Sequence, residues 1–585
     1  LKVVLLSQIP SQIVTSNCDL VAMMCAASGA RDANAFHAAV RGGGGYLPPP
    51  SSLTYQGIFN QHRFHTGEPE KSATVAVAVR SERDTLSSSD GAANADMWVA
   101  CFLKSCRDGQ PRDATPIDIV AVLDVSGSMQ SGVTNRRKAG QQSRLDLAKD
   151  ALLGLVAQLR EDDRFGLATF NSAGTVIQPL RSVRDIDSSM LRTDVSQLVA
   201  GGGTTLTAGM DAAVGICKGA TMASETRHRR LLFITDMHDL GSQGMNEMIA
   251  AQARNCLYVS FVCIGMEFIS QLAEEVTKHR GANYFCITRD EELQKVVVDD
   301  FAFNFFPAAF EVEVAQQSDA FDLVAVYGTP YDLHEEVSDA DWHPSTHRFY
   351  PPEFKKQARE LMLCSGRQSD RLPSPALQQL FSCLSTSAHT IIRLDTVFPS
   401  AIAEDGSIEG GLILLRLRAR SPNSGSGTVR LVTRHVSASG AEHSMVTEVE
   451  VPTGPAVADV APDPAVAKGV LLQRFVEVCR LYLTTAARQP PETEAEPLRA
   501  ALSRVDQLLE ELDAAPARAE GLCPGLHAEL RAFAERARKH FERQSQQEAE
   551  LRAWGGGPES TSSTGRSRRL FPRAGPEGGA GLGGT

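Results

Sequence analysis

Asp124, Ser126 and Ser128 put one carboxylate and two hydroxyls close together, directly after the apolar run Ile117 to Leu123. All three are hard oxygen donors, which suit Mg²⁺ or Mn²⁺ and suit zinc or copper poorly. Further along, Gly201-Gly202-Gly203-Thr204-Thr205 offers a glycine loop with two more hydroxyls, and Asp236 supplies a second carboxylate. Asp-x-Ser-x-Ser alone is a weak signal, because Asp and Ser abound in loops. Its weight comes from context.

That context is a series of elements. Ile117 to Leu123 is β-branched and almost continuously apolar, as a strand buried on both faces must be. Leu231 to Thr235 reads as a second buried strand, ending at Asp236. Ligands of open α/β sheets bind beyond the carboxyl ends of such strands. Leu145 to Leu159 and Leu206 to Cys217 have helical spacing. Arg164 to Phe170, Leu257 to Cys263 and Asn283 to Ile287 are further strands, and a helix is expected near Phe268 to Lys278. Strands alternating with helices predict a doubly wound sheet.

These residues resemble a von Willebrand factor A domain with an intact metal-ion-dependent adhesion site. The resemblance spans roughly Pro116 to Phe306. It implies a Rossmann-like fold and one divalent cation, Mg²⁺ or Mn²⁺, held by Asp124, Ser126, Ser128, Thr204 and Asp236. Thr204 directly follows the glycines, and Thr205 is the fallback. The family commonly has Gly after the last Asp, where this chain has Met237-His238-Asp239. Two carboxylates offset a dication and the other ligands are neutral, so a partner's carboxylate can replace a metal-bound water. A two-metal hydrolase would place more acids nearby.

The expected function is divalent-cation-dependent protein binding, adhesive or scaffolding, in which the cation grips an acidic residue of a partner. The alternative is a regulatory or docking subunit of a channel or enzyme complex, with this domain as the recruitment arm. A scaffold with a vestigial site is a third reading, against which the full ligand set argues. No enzyme is expected: P-loop, H-E-x-x-H and G-x-S-x-G motifs are all absent from the sequence. The polar segment Met129 to Ser143 carries Arg136, Arg137 and Lys138. It reads either as a loop steering an acidic ligand or as an ordinary solvated loop.

A chain of 585 residues holds about two to four domains. Its net charge of -12 shows no basic stripe for nucleic acid. No apolar run approaches the ~20 residues of a spanning helix. Solubility is expected, with the cytoplasm slightly favoured over secretion. Leu20 to Ala27 is apolar like a short signal segment, but Asp19 precedes it and no basic flank does. Cys217, Cys256, Cys263 and Cys286 fall on core elements and read as buried thiols. Cys18 with Cys25 and Cys101 with Cys106 could each pair, though nothing compels it.

Outside the α/β unit the chain reads as β, then α. Residues 1–70 form a lead-in, partly irregular. Residues 71–108 carry the first strands of a β-sandwich, and 307–458 the remainder, with a polar, partly helical insertion at about 332–388. The α/β domain at 116–306 is then inserted between strands of one sandwich; two separate β units are the alternative. Residues 465–554 are helical, and Pro490, Pro491, Pro516 and Pro524 are expected to cut the run. The Gly/Ser/Pro-rich residues 555–585 are expected to be a disordered tail. The flanks, including Tyr46-Leu47-Pro48-Pro49-Pro50 and Gly410 to Leu415, are similar to bacterial and protist proteins with one central A domain, some labelled calcium-activated chloride channel-like.

Overall fold

The computed structural model describes residues 53–66, 75–83, 96–133, 140–219, 227–236, 242–265, 276–330, 342–343, 348–349, 390–421, 425–453, 463–487, 495–518 and 524–555. The described residues open with helix α1 (Tyr55–Phe59), capped by Thr54, whose hydroxyl accepts the Gly57 N–H at 2.9 Å. All five residues of α1 are buried, so this part of the lead-in is core material. Strands β1 (Arg63–Phe64), β2 (Val75–Arg83) and β3 (Met97–Ser105) follow.

The α/β unit begins at β4 (Ile117–Asp124). Helix α2 (Arg144–Gln158) starts at a capping box: Ser143 Oγ accepts the Asp146 N–H and Asp146 Oδ2 accepts the Ser143 N–H, both at 3.1 Å. Then come β5 (Arg164–Phe170), β6 (Gly174–Ser182), α3 (Ser188–Gln197), α4 (Leu206–Gly219) and β7 (His228–Thr235). Next are α5 (Ser242–Arg254), β8 (Tyr258–Ile264), β9 (Asn283–Ile287), α6 (Asp290–Gln294) and α7 (Phe301–Asn304). The sheet order is β6-β5-β4-β7-β8-β9. Its pairs are parallel except β5–β6. Apolar clusters cover both faces, one built with α2, α6 and α7 and the other with α4 and α5.

Several expectations need correction. The sheet is mixed, because the hairpin after Phe170 adds β6 as an antiparallel edge strand. The stretch that closes the unit is not one continuous helix but α6, a π-turn over Lys295–Asp299, and α7. Asn304 Nδ2 donates to the Val296 carbonyl at 2.7 Å across that irregular stretch. Cys256 is exposed, not buried. It sits at φ +53, the left-handed residue that turns the chain from α5 toward β8 and directs its side chain to solvent. The helix expected near Phe268 to Lys278 falls largely outside the described residues.

The second half brings β10 (Ala309–Gln317), β11 (Phe321–Tyr327), β12 (Trp342–His343), β13 (Arg348–Phe349), β14 (Thr390–Val397), β15 (Ile408–Glu409), β16 (Leu412–Ala419), β17 (Gly425–Ser437) and β18 (Glu442–Thr453). Two four-stranded sheets result, β14-β10-β17-β18 and β11-β16-β3-β2. The second joins the two flanks of the α/β unit: β3 pairs antiparallel with β16, Phe102 opposite Leu412. Met97, Val99, Cys101 and Leu103 share one apolar core with Val312, Val314, Leu394, Val429 and Leu431 of the first sheet.

The α/β unit is joined to these sheets at its lower end, opposite the carboxyl ends of its strands. Arg112 Nη2 donates to Asp163 Oδ1 at 2.7 Å, and its guanidinium carbon lies 5.3 Å from the Phe306 ring centroid. Asp163, fully buried, also accepts the backbone N–H groups of Ile117 and Arg160 at 2.9 and 2.7 Å. Where the chain enters the unit and where it leaves therefore lie side by side.

Three helices complete the described chain: α8 (Pro464–Ala487), α9 (Ala495–Arg518) and α10 (Pro524–Gly555). Helix α8 buries Val466, Leu472, Phe475 and Cys479 against Trp98, Phe102, Leu412, Leu414 and α1. Pro516 falls inside the last turn of α9 and does not end it, whereas Pro524 opens α10. Cys101, expected to be free to pair with Cys106, is buried, and both are free thiols. The Cys18–Cys25 pair, most of the insertion at 332–388 and residues 556–585 of the tail lie outside the described residues.

Candidate metal centre

Asp124 ends the central strand β4 and is fully buried. Its Oδ1 accepts the Ser126 N–H at 2.8 Å, and its Oδ2 accepts the Thr235 hydroxyl at 2.6 Å. Ser126 Oγ and Ser128 Oγ are 3.0 Å apart, and Ser128 Oγ donates to Asp236 Oδ1, also at 3.0 Å. A hydroxyl has one proton, so with Ser128 donating to Asp236, Ser126 donates to Ser128. Four of the expected ligands thus form one hydrogen-bonded set across the carboxyl ends of β4 and β7.

The glycine loop is laid on this set by backbone bonds. Gly201 N donates to the Val125 carbonyl at 2.8 Å, and Gly127 N to the Gly202 carbonyl at 3.1 Å. Gln130 Nε2 donates to the Ala200 carbonyl at 2.8 Å, and Asn171 Nδ2 to the Gly201 carbonyl at 3.0 Å. Gly202 has φ +85, which only glycine adopts without strain. The loop delivers Thr204 and Thr205, both half-buried, just before α4. Thr205 N donates to the Asn171 carbonyl at 2.8 Å; Thr204 makes no direct hydrogen bond to the other four, and Thr204 and Thr205 remain the two candidates for the fifth ligand. Arg136, Arg137 and Lys138 lie outside the described residues, as do His238 and Asp239.

Asp236 has a second partner that the sequence did not announce. Arg144 Nη1 donates to Asp236 Oδ2 at 2.7 Å, with side chains 2% and 0% exposed. Arg144 Nε donates to the Gly132 carbonyl at 3.1 Å. Burial holds the Asp124 carboxyl above the usual carboxylate range; hydrogen bonds from Thr235 and Ser126 oppose this, while the Asp236 charge adds to it. Among the described residues no three His, Cys, Asp or Glu side chains gather. The donor set is two carboxylates and hydroxyls, all hard oxygen, and it fits Mg²⁺ or Mn²⁺ better than a soft metal.

Thr235, Asn171, Gln130 and Arg144 are thus parts of the site that sequence reasoning missed. Thr235 could have been noticed as a hydroxyl at a strand end beside Asp236. Arg144 could have been noticed as a cation one residue after a helix cap, where the helix dipole disfavours it.

Residues 119–238 match the von Willebrand factor type A domain family. Among solved structures, the chain is similar to a von Willebrand factor type A protein from Catenulispora acidiphila: 11% identity, 75% of this chain and 87% of that one, TM-score 0.41. It is similar to the ArnB paralog VWA2 from Sulfolobus acidocaldarius: 10% identity, 81% of this chain and 99% of that one, TM-score 0.37. It is also similar to the conserved hypothetical protein BatB from Bacteroides thetaiotaomicron: 19% identity, 32% of this chain and 97% of that one, TM-score 0.26. No curated protein gives a significant match. No helix among the described residues is long and apolar enough to cross a membrane.

Proposed function

We propose that this chain, whose residues 119–238 form a von Willebrand factor A domain, is a divalent-cation-dependent protein-binding protein and not an enzyme. Domains of this kind are typically protein-interaction or adhesion modules. In this reading Asp124, Ser126, Ser128, Thr204 and Asp236 hold one Mg²⁺ or Mn²⁺, and the cation takes up a carboxylate from a partner protein. The supporting observation is the continuous hydrogen-bonded set from Ser126 through Ser128 to Asp236. Oxygens that already share protons at hydrogen-bond distance are close enough to share a cation instead.

A bound cation would supply an electrophilic point to which an anionic oxygen can bind. The protein's own residues do the rest. Asp124 and Asp236 balance the charge, and Thr235 and the Ser126 N–H fix the Asp124 rotamer. The serine hydroxyls, neutral donors, leave the loaded site open to an anion. The two β-sheets and the three C-terminal helices are read as the mount, a sandwich into which the domain at 116–306 is inserted.

The test is calorimetric titration of the chelator-treated protein with Mn²⁺ and Mg²⁺, for wild type and Asp124→Ala. Saturable one-to-one binding, lost in the variant with an unchanged circular dichroism spectrum, is expected. Partner capture that disappears in EDTA and returns with Mg²⁺ completes it. Capture that is indifferent to EDTA would move the binding surface elsewhere and refute the reading.

A further inference from the structure

Arg144 is the first residue of α2, at the helix end where the macrodipole opposes a cation. It is nonetheless almost wholly buried. Both costs are met by geometry: Nη1 lies on Asp236 Oδ2 at 2.7 Å, Nε on the Gly132 carbonyl at 3.1 Å, and its backbone N–H on the Ser131 carbonyl at 2.8 Å. Room for the guanidinium is built in at the end of β8. Gly265 has φ +114, and a Cβ there would meet Arg144 Nη2 at 2.8 Å. A local rule broken with this much accommodation marks a functional position.

Charge defines what that position does. Asp124 and Asp236 together would present two negative charges to a dication. Arg144 cancels one of them before any metal arrives. We propose that Arg144 is a resident counter-cation of the site: it keeps Asp236 neutralised when no metal is bound, and it opposes the metal when one is. The inference rests on the metal reading of the site given above. Its consequence is that the metal-loaded site carries a net positive charge and attracts an anionic oxygen more strongly than a fully balanced site would. Metal and acidic ligand then favour each other's binding, each by the same factor.

The experiment uses the full chain, dialysed against EDTA and then buffer, titrated with MnCl₂ alone. Arg144→Gln keeps a hydrogen-bond donor toward Asp236 and removes the charge. Repulsion of one unit charge on a dication across a single carboxylate, screened as in water, is worth about tenfold in affinity. Arg144→Gln is therefore expected to bind Mn²⁺ at least about tenfold more tightly than wild type. Its melting temperature in EDTA should fall, and saturating Mn²⁺ should raise it by more than in wild type. Arg144→Lys, which keeps the charge, should stay within about threefold of wild type in Mn²⁺ affinity. An Arg144→Gln affinity equal to or weaker than wild type overturns the inference, and so does an Arg144→Lys variant as tight as the Gln variant is expected to be. If Arg144→Gln folds only when Mn²⁺ is present, the metal has replaced the lost charge and the inference is supported. If it folds under neither condition, the Lys variant decides alone. Failure of the underlying reading looks different: Mn²⁺ would then bind no form, or would bind wild type and Asp124→Ala alike.

Discussion

Replacing Asp163 with Asn tests how the α/β unit is held to the rest of the chain. Asp163 is fully buried and its partner Arg112 is 7% exposed, so this is an interior ion pair. Asn at this position keeps the size and can still accept one N–H, but it removes the charge. Arg112 Nε and Nη1 already lack hydrogen-bond partners among the described residues, so the variant leaves that guanidinium against the Phe301 and Phe306 rings with no counter-charge. Stranding one member of a buried pair costs about 3–5 kcal/mol. With a urea dependence of about 2.5 kcal/mol per molar for a unit of this size, the midpoint should fall by roughly 1–2 M. The assay separates the units: the three tryptophans, Trp98, Trp342 and Trp554, all lie outside 116–306. The loss should appear in far-ultraviolet circular dichroism at lower urea than in tryptophan emission. Arg112→Met should cost less than Asp163→Asn, because Asp163 keeps two backbone donors, and the double variant should recover part of the loss. A midpoint shift below about 0.4 M, the size of a surface pair, would refute the argument that this pair holds the junction.

The remaining predictions concern charge and space. Burial lowers His228 to about 4, against ~6.5 for an unfolded histidine. Its contribution is therefore intact above about pH 6.5 and is lost as pH falls toward 4, by about 3 kcal/mol in all. His228→Phe, which can stack edge-on to Phe306 as the imidazole does at 5.1 Å, should flatten melting temperature against pH in that window; an unaltered slope would exclude His228 as its source. Gly265→Ala should destabilise by about 1–3 kcal/mol, from a left-handed alanine pressed on Arg144, and an unchanged calorimetric melt would contradict the described fit. Replacing Arg136, Arg137 and Lys138 with Gln should slow partner association at low salt and leave it unchanged at about 0.5 M salt, as measured by surface plasmon resonance.

The parts of the fold that could be read from the sequence were those where burial is two-sided. Ile117 to Leu123 is apolar except for Asp118, which is paired with Arg164 and Arg227, because β4 lies between β5 and β7 with helices on both faces. Strand β6 was not legible, since its residues are exposed or half-buried and Pro179 interrupts them; an edge strand carries no apolar signature. Tyr55 to Phe59 gave no period long enough to reveal that every residue there is buried, with Tyr55, Ile58 and Phe59 in one core with α8. In the site, Asp124, Ser126, Ser128 and Asp236 were legible because their spacing follows strand ends. For Arg144 the only hint was a cation at the helix end where the dipole disfavours it; its role shows only once the fold brings Asp236 against it.

The pairing of β3 with β16 has a consequence for biosynthesis. Phe102 and its partner Leu412 are separated by roughly 310 residues of chain, which take about 15–60 s to synthesise at ~5–20 residues per second. For that interval β3 has no strand on that side, and the apolar face of Met97, Val99, Cys101 and Leu103 waits for its cover. An uncovered strand of this kind is a template for pairing with other chains. The intervening α/β unit shortens the search, because its folding brings Arg112 and Phe306 together and turns a long random loop into a short one. The topology thereby favours one order of folding, the α/β unit first and the β3–β16 pairing after it, and a nascent chain stalled between Phe306 and Leu412 presents a folded α/β unit on an open, aggregation-prone sheet.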